Sequence, residues 1–331
     1  MPDGPVLRGE PDLSPHRAAL AAWLCEQMGS PDLTIGQVKL LSGGAVQRNW
    51  RLGLLADGQV KSVVLRAGPD VPLPESRPKS HEYSVLQAVY KHGLPVAEPL
   101  WLEPSGAVIG QPFMVSGHRP GDADRRLLSA NPARAEILEH LAAALAGLHM
   151  LPIPEPHVAE MPSERVATLR GWAGDLADIP GGLIAGLNWL DRNAPDPQTP
   201  GIVHRDFRTG NFLIAGDTLS AILDWEFAGA GDVHEDIGWF CACCWRGENT
   251  QREAGGLGSR DAFYQAYMTA GGPAPDPARV HFWEVFAHTR WALIAMQQGA
   301  RAAAGEYPLW ELEEAAARVP GLARDIAEMI G

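Results

Sequence analysis

Three early runs, Leu33–Leu41, Asn49–Leu55 and Val60–Arg66, have the pattern of β-strands, the middle one alternating apolar and polar residues with a period of two and the last gathering Val63-Val64-Leu65. Asp57-Gly58, between the second and third runs, is a dipeptide suited to a tight hairpin turn. A helical spacing precedes the strands over Pro15–Met28. Another follows from about Ser80 to His92, where Tyr83, Leu86, Val89 and Tyr90 share a face and Gly93 marks the stop. Two further strands are expected at Ala97–Glu103 and Val108–Ser116, after which glycine and proline in Gly117-His118-Arg119-Pro120-Gly121 break the pattern.

Beyond that break the period changes to that of helices. Asn131-Pro132 marks a helix start, and Ile137, Leu138, Leu141, Leu145 and Leu148 form an apolar stripe running to His149. Further helices are expected at Gly182–Asn193, Val233–Trp245, Arg260–Ala270, Ala278–Ala303 and Leu309–Arg318, with one β-rich island from Ile202 to Trp225 among them. A strand-rich front and a helix-rich back predict an α+β arrangement in two lobes: residues 1–116, a hinge at 117–121, and residues 122–331.

At 331 residues, of which 46% are hydrophobic, the chain can bury a core in each lobe without staples. No apolar run approaches a membrane span and no basic-then-apolar leader opens at Met1, so a cytoplasmic protein without a membrane partner is expected. Acidic residues outnumber Lys and Arg by 40 to 27, a net charge of −13, which argues against binding nucleic acid through phosphate neutralisation. Cys241, Cys243 and Cys244 crowd one apolar stretch with a spacing that fits neither a zinc motif nor a disulfide framework, so the four cysteines are read as reduced, buried small hydrophobes. Most of the eleven tryptophans, among them Trp239, Trp245, Trp283 and Trp291, fall on helical stripes and are read as core.

The island carries the chemistry. It reads His204-Arg205-Asp206-Phe207-Arg208-Thr209-Gly210-Asn211, then apolar Phe212-Leu213-Ile214, then Ala221-Ile222-Leu223-Asp224-Trp225-Glu226. The first stretch matches the kinase catalytic loop H-R-D-x-x-x-x-N, and Asp224 stands where kinases keep a metal-binding Asp after a strand. Asp-Trp-Glu in place of Asp-Phe-Gly, followed by Gly231-Asp232-Val233-His234-Glu235-Asp236-Ile237-Gly238, resembles the aminoglycoside phosphotransferase and choline kinase branch, with Val233 replacing the usual proline. The resemblance extends to bacterial phosphotransferases similar to kinase domains associated with acyl-CoA dehydrogenases. It implies a protein-kinase-like fold.

The resemblance also implies roles. Asp206 would hold the acceptor hydroxyl and take its proton, while Asn211 and Asp224 would offer hard oxygen ligands to Mg²⁺. Asp236 would accept backbone N–H bonds from the catalytic loop, and His204 would bond nearby backbone. In the front lobe Gly43 and Gly44 would form a turn over the nucleotide phosphates. Arg66 occupies the place of the family's phosphate-binding Lys, with Glu82, ahead of Glu75, as its partner. The expected activity is transfer of the γ-phosphate of ATP, or of GTP, to a hydroxyl of a small molecule, with a slight preference for a hydroxyacyl metabolite over an aminoglycoside. A non-catalytic, nucleotide-binding pseudokinase module is the alternative that Arg66 leaves open, and the sequence does not specify an oligomeric state.

Overall fold

The fold is taken from a computed structural model, which describes residues 12–41, 47–68, 75–196, 198, 200–247, 249–305 and 309–331. The chain divides into two compact units. One runs to Pro120 and includes Trp225–Phe227; the other comprises Gly121–Asp224 and Ala228–Gly331.

The first unit opens with helix α1 (Arg17–Met28) and continues with strands β1 (Thr34–Leu40), β2 (Arg48–Ala56) and β3 (Gln59–Ala67). Helix α2 (Lys79–Lys91) precedes β4 (Pro99–Glu103) and β5 (Phe113–Gly117). The strands form one antiparallel sheet in the order β1-β2-β3-β5-β4. The expected alternation is what buries it: Trp50, Leu52 and Leu54 on β2 and Val63 and Leu65 on β3 point to one face, where they meet Leu20 and Leu24 of α1. Asp57 and Gly58 both adopt positive φ, 51° and 72°, as a hairpin matching the right-handed strand twist requires. Gly93, at φ 78°, follows α2 as expected. On α2 itself the buried face is carried by Val85, Leu86 and Val89, whereas Tyr90 is exposed.

The second unit holds α3 (Arg125–Ala130), α4 (Arg134–His149), α5 (Pro162–Gly174), α6 (Gly181–Asn193), α7 (His234–Cys241), α8 (Arg260–Thr269), α9 (Pro277–Ala303), α10 (Leu309–Ala316) and α11 (Val319–Ile330). Its short strands are β6 (Gly201–Val203), β7 (Phe212–Ala215), β8 (Thr218–Ile222) and β9 (Gly229–Gly231). The island is therefore not one sheet: β7 and β8 form a hairpin, while β6 pairs with β9, which lies beyond the expected end at Trp225. The helix expected over Val233–Trp245 is also interrupted. Ala242 is extended, with ψ 136°, and a 3₁₀ turn covers Cys243–Trp245. The Arg246 guanidinium donates to the Cys241 carbonyl at 2.7 Å and so satisfies one acceptor at the break.

Helix α9 is the axis of this unit. Its Phe282, Trp283 and Phe286 are buried against Val166 and Leu169 of α5, Leu183 and Leu187 of α6 and Ile326 of α11. The expected stripe of α4 is buried along its whole length. Asp276 starts α9 by accepting the Ala278 N–H at 2.8 Å, and Pro277 fills the first helical position, where a missing N–H costs nothing. Trp239, Trp245 and Trp283 are buried, as core tryptophans should be. No helix among the described residues is long and apolar enough to cross a membrane.

Helices α7 and α9 approach closely at Gly238. A Cβ there would stand 2.5 Å from the Trp283 Cβ and 2.8 Å from its carbonyl carbon, neither of which can move without the helix. Gly238→Ala is expected to destabilise by roughly 1–3 kcal/mol through overpacking. Gly171→Ala, on an exposed position of α5 with open space around it, should instead stabilise by up to about 1 kcal/mol through helix propensity. Urea unfolding of the two variants beside the parent checks both signs.

Candidate active site

The strand-to-loop exit after β6 carries His204, Arg205 and Asp206 into a buried turn, and Arg205 takes the left-handed conformation at φ 65°. Such a turn is unfavourable for a bulky residue and persists only where its surroundings hold it. Three anchors do so. The Asp236 carboxylate on α7 accepts the His204 and Arg205 N–H groups, each at 2.7 Å. The Arg205 guanidinium donates to the Ala230 carbonyl at 3.1 Å and pairs with Glu160 at 2.6 Å and Glu235 at 3.3 Å. Arg290 reaches from α9 to the Arg205 carbonyl at 2.6 Å and lays its guanidinium 4.4 Å from the Trp239 ring centroid.

His204 is wholly buried. Its Nδ1 accepts the Asp206 N–H at 3.1 Å and its Nε2 donates to the Leu223 carbonyl at 2.8 Å, so one neutral tautomer serves both. Burial lowers its pKa, against the opposing influence of Asp236, Asp206 and Asp224. For Asp236 burial works upward, but the hydrogen bond and charge of His149 and the loop N–H groups outweigh it and hold the carboxyl low. Asp232 behaves likewise: burial is outweighed by hydrogen bonds from His234 to Oδ1 and from Trp283 to Oδ2, the oxygen that Arg279 also pairs with. Val233 sits at φ −59°, the angle a proline ring would impose, so the substitution noted in the sequence leaves the turn intact.

Three donors fix the Asp206 carboxylate. Arg208 Nε and the Trp239 indole N–H meet Oδ1 at 3.0 and 3.1 Å, and the Asn211 amide N–H meets Oδ2 at 2.6 Å. Asn211 Nδ2 also donates to the Asp206 carbonyl at 2.9 Å, which turns its Oδ1 to the opposite side of the amide. The Leu223 N–H donates to the Asn211 carbonyl at 2.8 Å, tying Asp224, itself at φ 62°, to the same loop. The sequence thus singled out Asp206, Asn211 and Asp224, and the hydrogen bonds gather them around one loop. The bond from Trp239 to Asp206 was missed, since periodicity reads Trp239 only as core.

The first unit has its own charged group. Arg66 Nε lies 3.1 Å from Glu82, the partner expected from sequence. Lys79, not anticipated, pairs with the other oxygen of Glu82 at 2.7 Å. The Gln47 amide oxygen accepts from both Arg66, at 2.7 Å, and Lys79, while its nitrogen donates to Glu226 at 2.8 Å. The i, i+3 spacing of Lys79 and Glu82 on α2 was the signal available in the sequence. Burial lowers the Lys79 pKa and Glu82 partly restores it. A cavity of about 230 Å³ borders Gln47, Ser76, Lys79 and Glu226. That is below the roughly 300–1,000 Å³ of ordinary ligand pockets, so it does not by itself accommodate a nucleotide. Gly43 and Gly44 lie outside the described residues.

A model of the phosphotransferase enzyme family matches residues 37–283. The chain belongs to this family. Acyl-CoA dehydrogenase family member 11 of Gallus gallus is 28% identical over 238 residues, covering 67% of this chain and 30% of that protein. The chain therefore spans less than a third of the length of the curated acyl-CoA dehydrogenase relatives it matches. Among solved structures, an aminoglycoside phosphotransferase-like protein from Ralstonia eutropha aligns at a TM-score of 0.72 and 21% identity over 95% of this chain and 97% of that one. Spectinomycin phosphotransferase, solved with ADP and spectinomycin, aligns at 0.62 and 12% identity over 95% and 98%. These likenesses show the kinase-like α+β fold expected from the sequence.

The buried His204 and Asp236 make stability dependent on pH in one direction. Both have folded pKa values below their ordinary ones, 6.5 and 3.8, so on acidification the unfolded chain binds protons that the folded chain does not. The urea midpoint is expected to fall as pH drops below about 6.5, where His204 begins to titrate in the unfolded state, and to fall further below about 3.8 through Asp236. A midpoint that stayed level or rose between about pH 7 and pH 5 would contradict a neutral His204 in the fold.

Proposed function

We propose that this phosphotransferase moves the γ-phosphoryl group of ATP to a hydroxyl of a small molecule, with Asp206 as the general base. The observation that carries the proposal is the Asp206 carboxylate, held by Arg208, Trp239 and Asn211 in a buried loop that a backbone bond from Leu223, next to Asp224, ties at Asn211. Three donors set its orientation without occupying every lone pair, because an ionised carboxylate accepts about four hydrogen bonds. An acceptor hydroxyl bonded to this carboxylate gives up its proton to it as the new O–P bond forms. The bond from the γ-phosphorus to the bridging oxygen breaks, and ADP leaves with the electron pair.

The donor set fits a hard divalent cation. Asn211 Oδ1 faces away from Asp206 and Asp224 adds a carboxylate, both oxygen ligands of the kind Mg²⁺ prefers. These two residues would hold Mg²⁺, which when bound supplies neutralisation of charge on the phosphate oxygens. Arg66 would hold the nucleotide phosphates, with Glu82 and Gln47 fixing its guanidinium and Lys79 adding a second cation to the same group. A spectinomycin phosphotransferase solved with ADP supports an adenine nucleotide, and GTP is the alternative to test beside it.

For the acceptor we place a hydroxyacyl metabolite ahead of an aminoglycoside, on the likeness to acyl-CoA dehydrogenase family member 11. Transfer of labelled phosphate from ATP to a panel of hydroxylated acyl compounds, aminoglycosides, amino alcohols and sugars tests this order. A response to aminoglycosides alone would reverse it, and none at all in the presence of Mg²⁺ would favour a non-catalytic module.

Asp206→Asn should slow transfer on the order of 10²- to 10⁴-fold while nucleotide affinity with Mg²⁺ stays near the parent's. Asp224→Asn should lower Mg²⁺-dependent nucleotide affinity and turnover together. Calorimetric titration of nucleotide with and without Mg²⁺, beside turnover, separates the two, and the reverse pattern would exchange their roles. Arg66→Ala is expected to raise KM for ATP, and Arg66→Lys to recover part of the loss. Unchanged kinetics in Arg66→Ala with a large effect of Lys79→Met would transfer the phosphate-binding role to Lys79.

A further inference from the structure

Cys243, His288 and Asp325 come from the 3₁₀ turn, from α9 and from α11, and one ligand atom of each lies within 4.8 Å of the others. The reading of all four cysteines as buried small hydrophobes fails here, because Cys243 is exposed. Its Sγ stands 2.9 Å from His288 Nε2 and 3.9 Å from Asp325 Oδ2. His288 Nδ1 donates to the Glu284 carbonyl at 2.7 Å, which fixes the tautomer and aims the Nε2 lone pair at the sulfur. Metal-binding imidazoles are held in this way, their second nitrogen bonded to a carbonyl or carboxylate.

We propose that these three side chains bind a borderline divalent transition-metal ion, Zn²⁺, which clips the Cys243–Trp245 turn to α9 and α11. A thiolate, an imidazole and a carboxylate are ligands that Zn²⁺ takes in tetrahedral sites, with water completing the fourth position. Sulfur and nitrogen ligands also separate this site from the Asn211 and Asp224 oxygens, which suit Mg²⁺. Ordinary zinc distances of ~2.3 Å to sulfur and ~2.0 Å to nitrogen need the sulfur and nitrogen about 3.5 Å apart. The present 2.9 Å would therefore open slightly, which a rotation of the exposed Cys243 side chain supplies.

On binding, the ion replaces the thiol proton, which passes to solvent, and a metal–sulfur bond takes the place of S–H···N. The turn so fastened carries Trp245, whose ring lies 4.9 Å from the Arg208 guanidinium. The site does not depend on whether the loop transfers phosphate.

The test uses the full chain freed of metal by chelation and titrated with Co²⁺, then with Zn²⁺. Expected are a thiolate-to-cobalt charge-transfer band that saturates at a single equivalent, its loss on adding Zn²⁺, and a rise in Tm with Zn²⁺ that Mg²⁺ does not reproduce. Cys243→Ser, at an exposed position, should abolish both the band and the Tm shift, and Asp325→Asn should weaken both, while Cys25→Ser leaves them as in the parent. No band in the parent, or a band and shift retained in Cys243→Ser, would overturn the site. So would rapid alkylation of Cys243 at neutral pH with no protection by Zn²⁺, which would mark a free reactive thiol.

Discussion

The carboxylate of Asp236 is the constraint on which the His204–Asn211 loop depends. Two successive backbone N–H groups, of His204 and Arg205, converge on its two oxygens while His149 bonds one of them from α4. Buried N–H groups must find acceptors, and no regular strand or helix can supply them where the chain turns through positive φ at Arg205. Because Asp236 lies on α7, the turn is registered against the same helix that sends Trp239 to Asp206. The orientation of Asp206 thus follows from where α7 is held.

What holds α7 is α9. The absence of a side chain at Gly238 lets the two backbones meet at Trp283, and Asp232, just before α7, is bonded to Trp283 and Arg279 of α9. Arg290, two turns further on, closes the circuit at the Arg205 carbonyl. Arg165, Arg205 and Arg279 are buried and paired with carboxylates. Arg165 and Arg205 share Glu235, with Arg165 only 2.7 Å from it. Pairs of this kind contribute little net stability, since desolvation offsets their attraction, but losing one partner strands a buried charge at a cost of about 3–5 kcal/mol. Their effect is on geometry: few alternative arrangements of the loop satisfy every member.

The sheet-containing unit solves a similar problem with fewer groups. Glu82, fully buried, is shared by Arg66 and Lys79, and Gln47 joins both cations to Glu226. Two like charges beside one carboxylate are tolerable because the Gln47 amide oxygen lies between them as a second acceptor. The Arg at the third strand, which departs from the family's Lys, therefore comes with a Lys close by.

Local chemistry was legible wherever it is written in consecutive residues. Alternation at Trp50, Leu52 and Leu54 determined β2, Asp57-Gly58 its turn, the Leu141–Leu148 stripe α4, and the His204–Asn211 spacing the loop, because each rests on short-range geometry. The break at Ala242, the pairing of β6 with β9 and the hydrogen bond from Trp239 to Asp206 were not legible, since each is decided by a partner far along the chain. Lys79 lay within reach of a sequence reading, three residues from Glu82, yet only burial shows that it shares that carboxylate with Arg66. Cys243, His288 and Asp325 are the extreme case. No spacing rule connects them, and only the packing of α9 and α11 beside the 3₁₀ turn brings sulfur, nitrogen and oxygen together. The sequence by itself determined many of the elements and the His204–Asn211 signature, through interactions spanning a few residues. Tertiary structure decided which side chains face each other, because contact across helices depends on where close packing lets backbones meet.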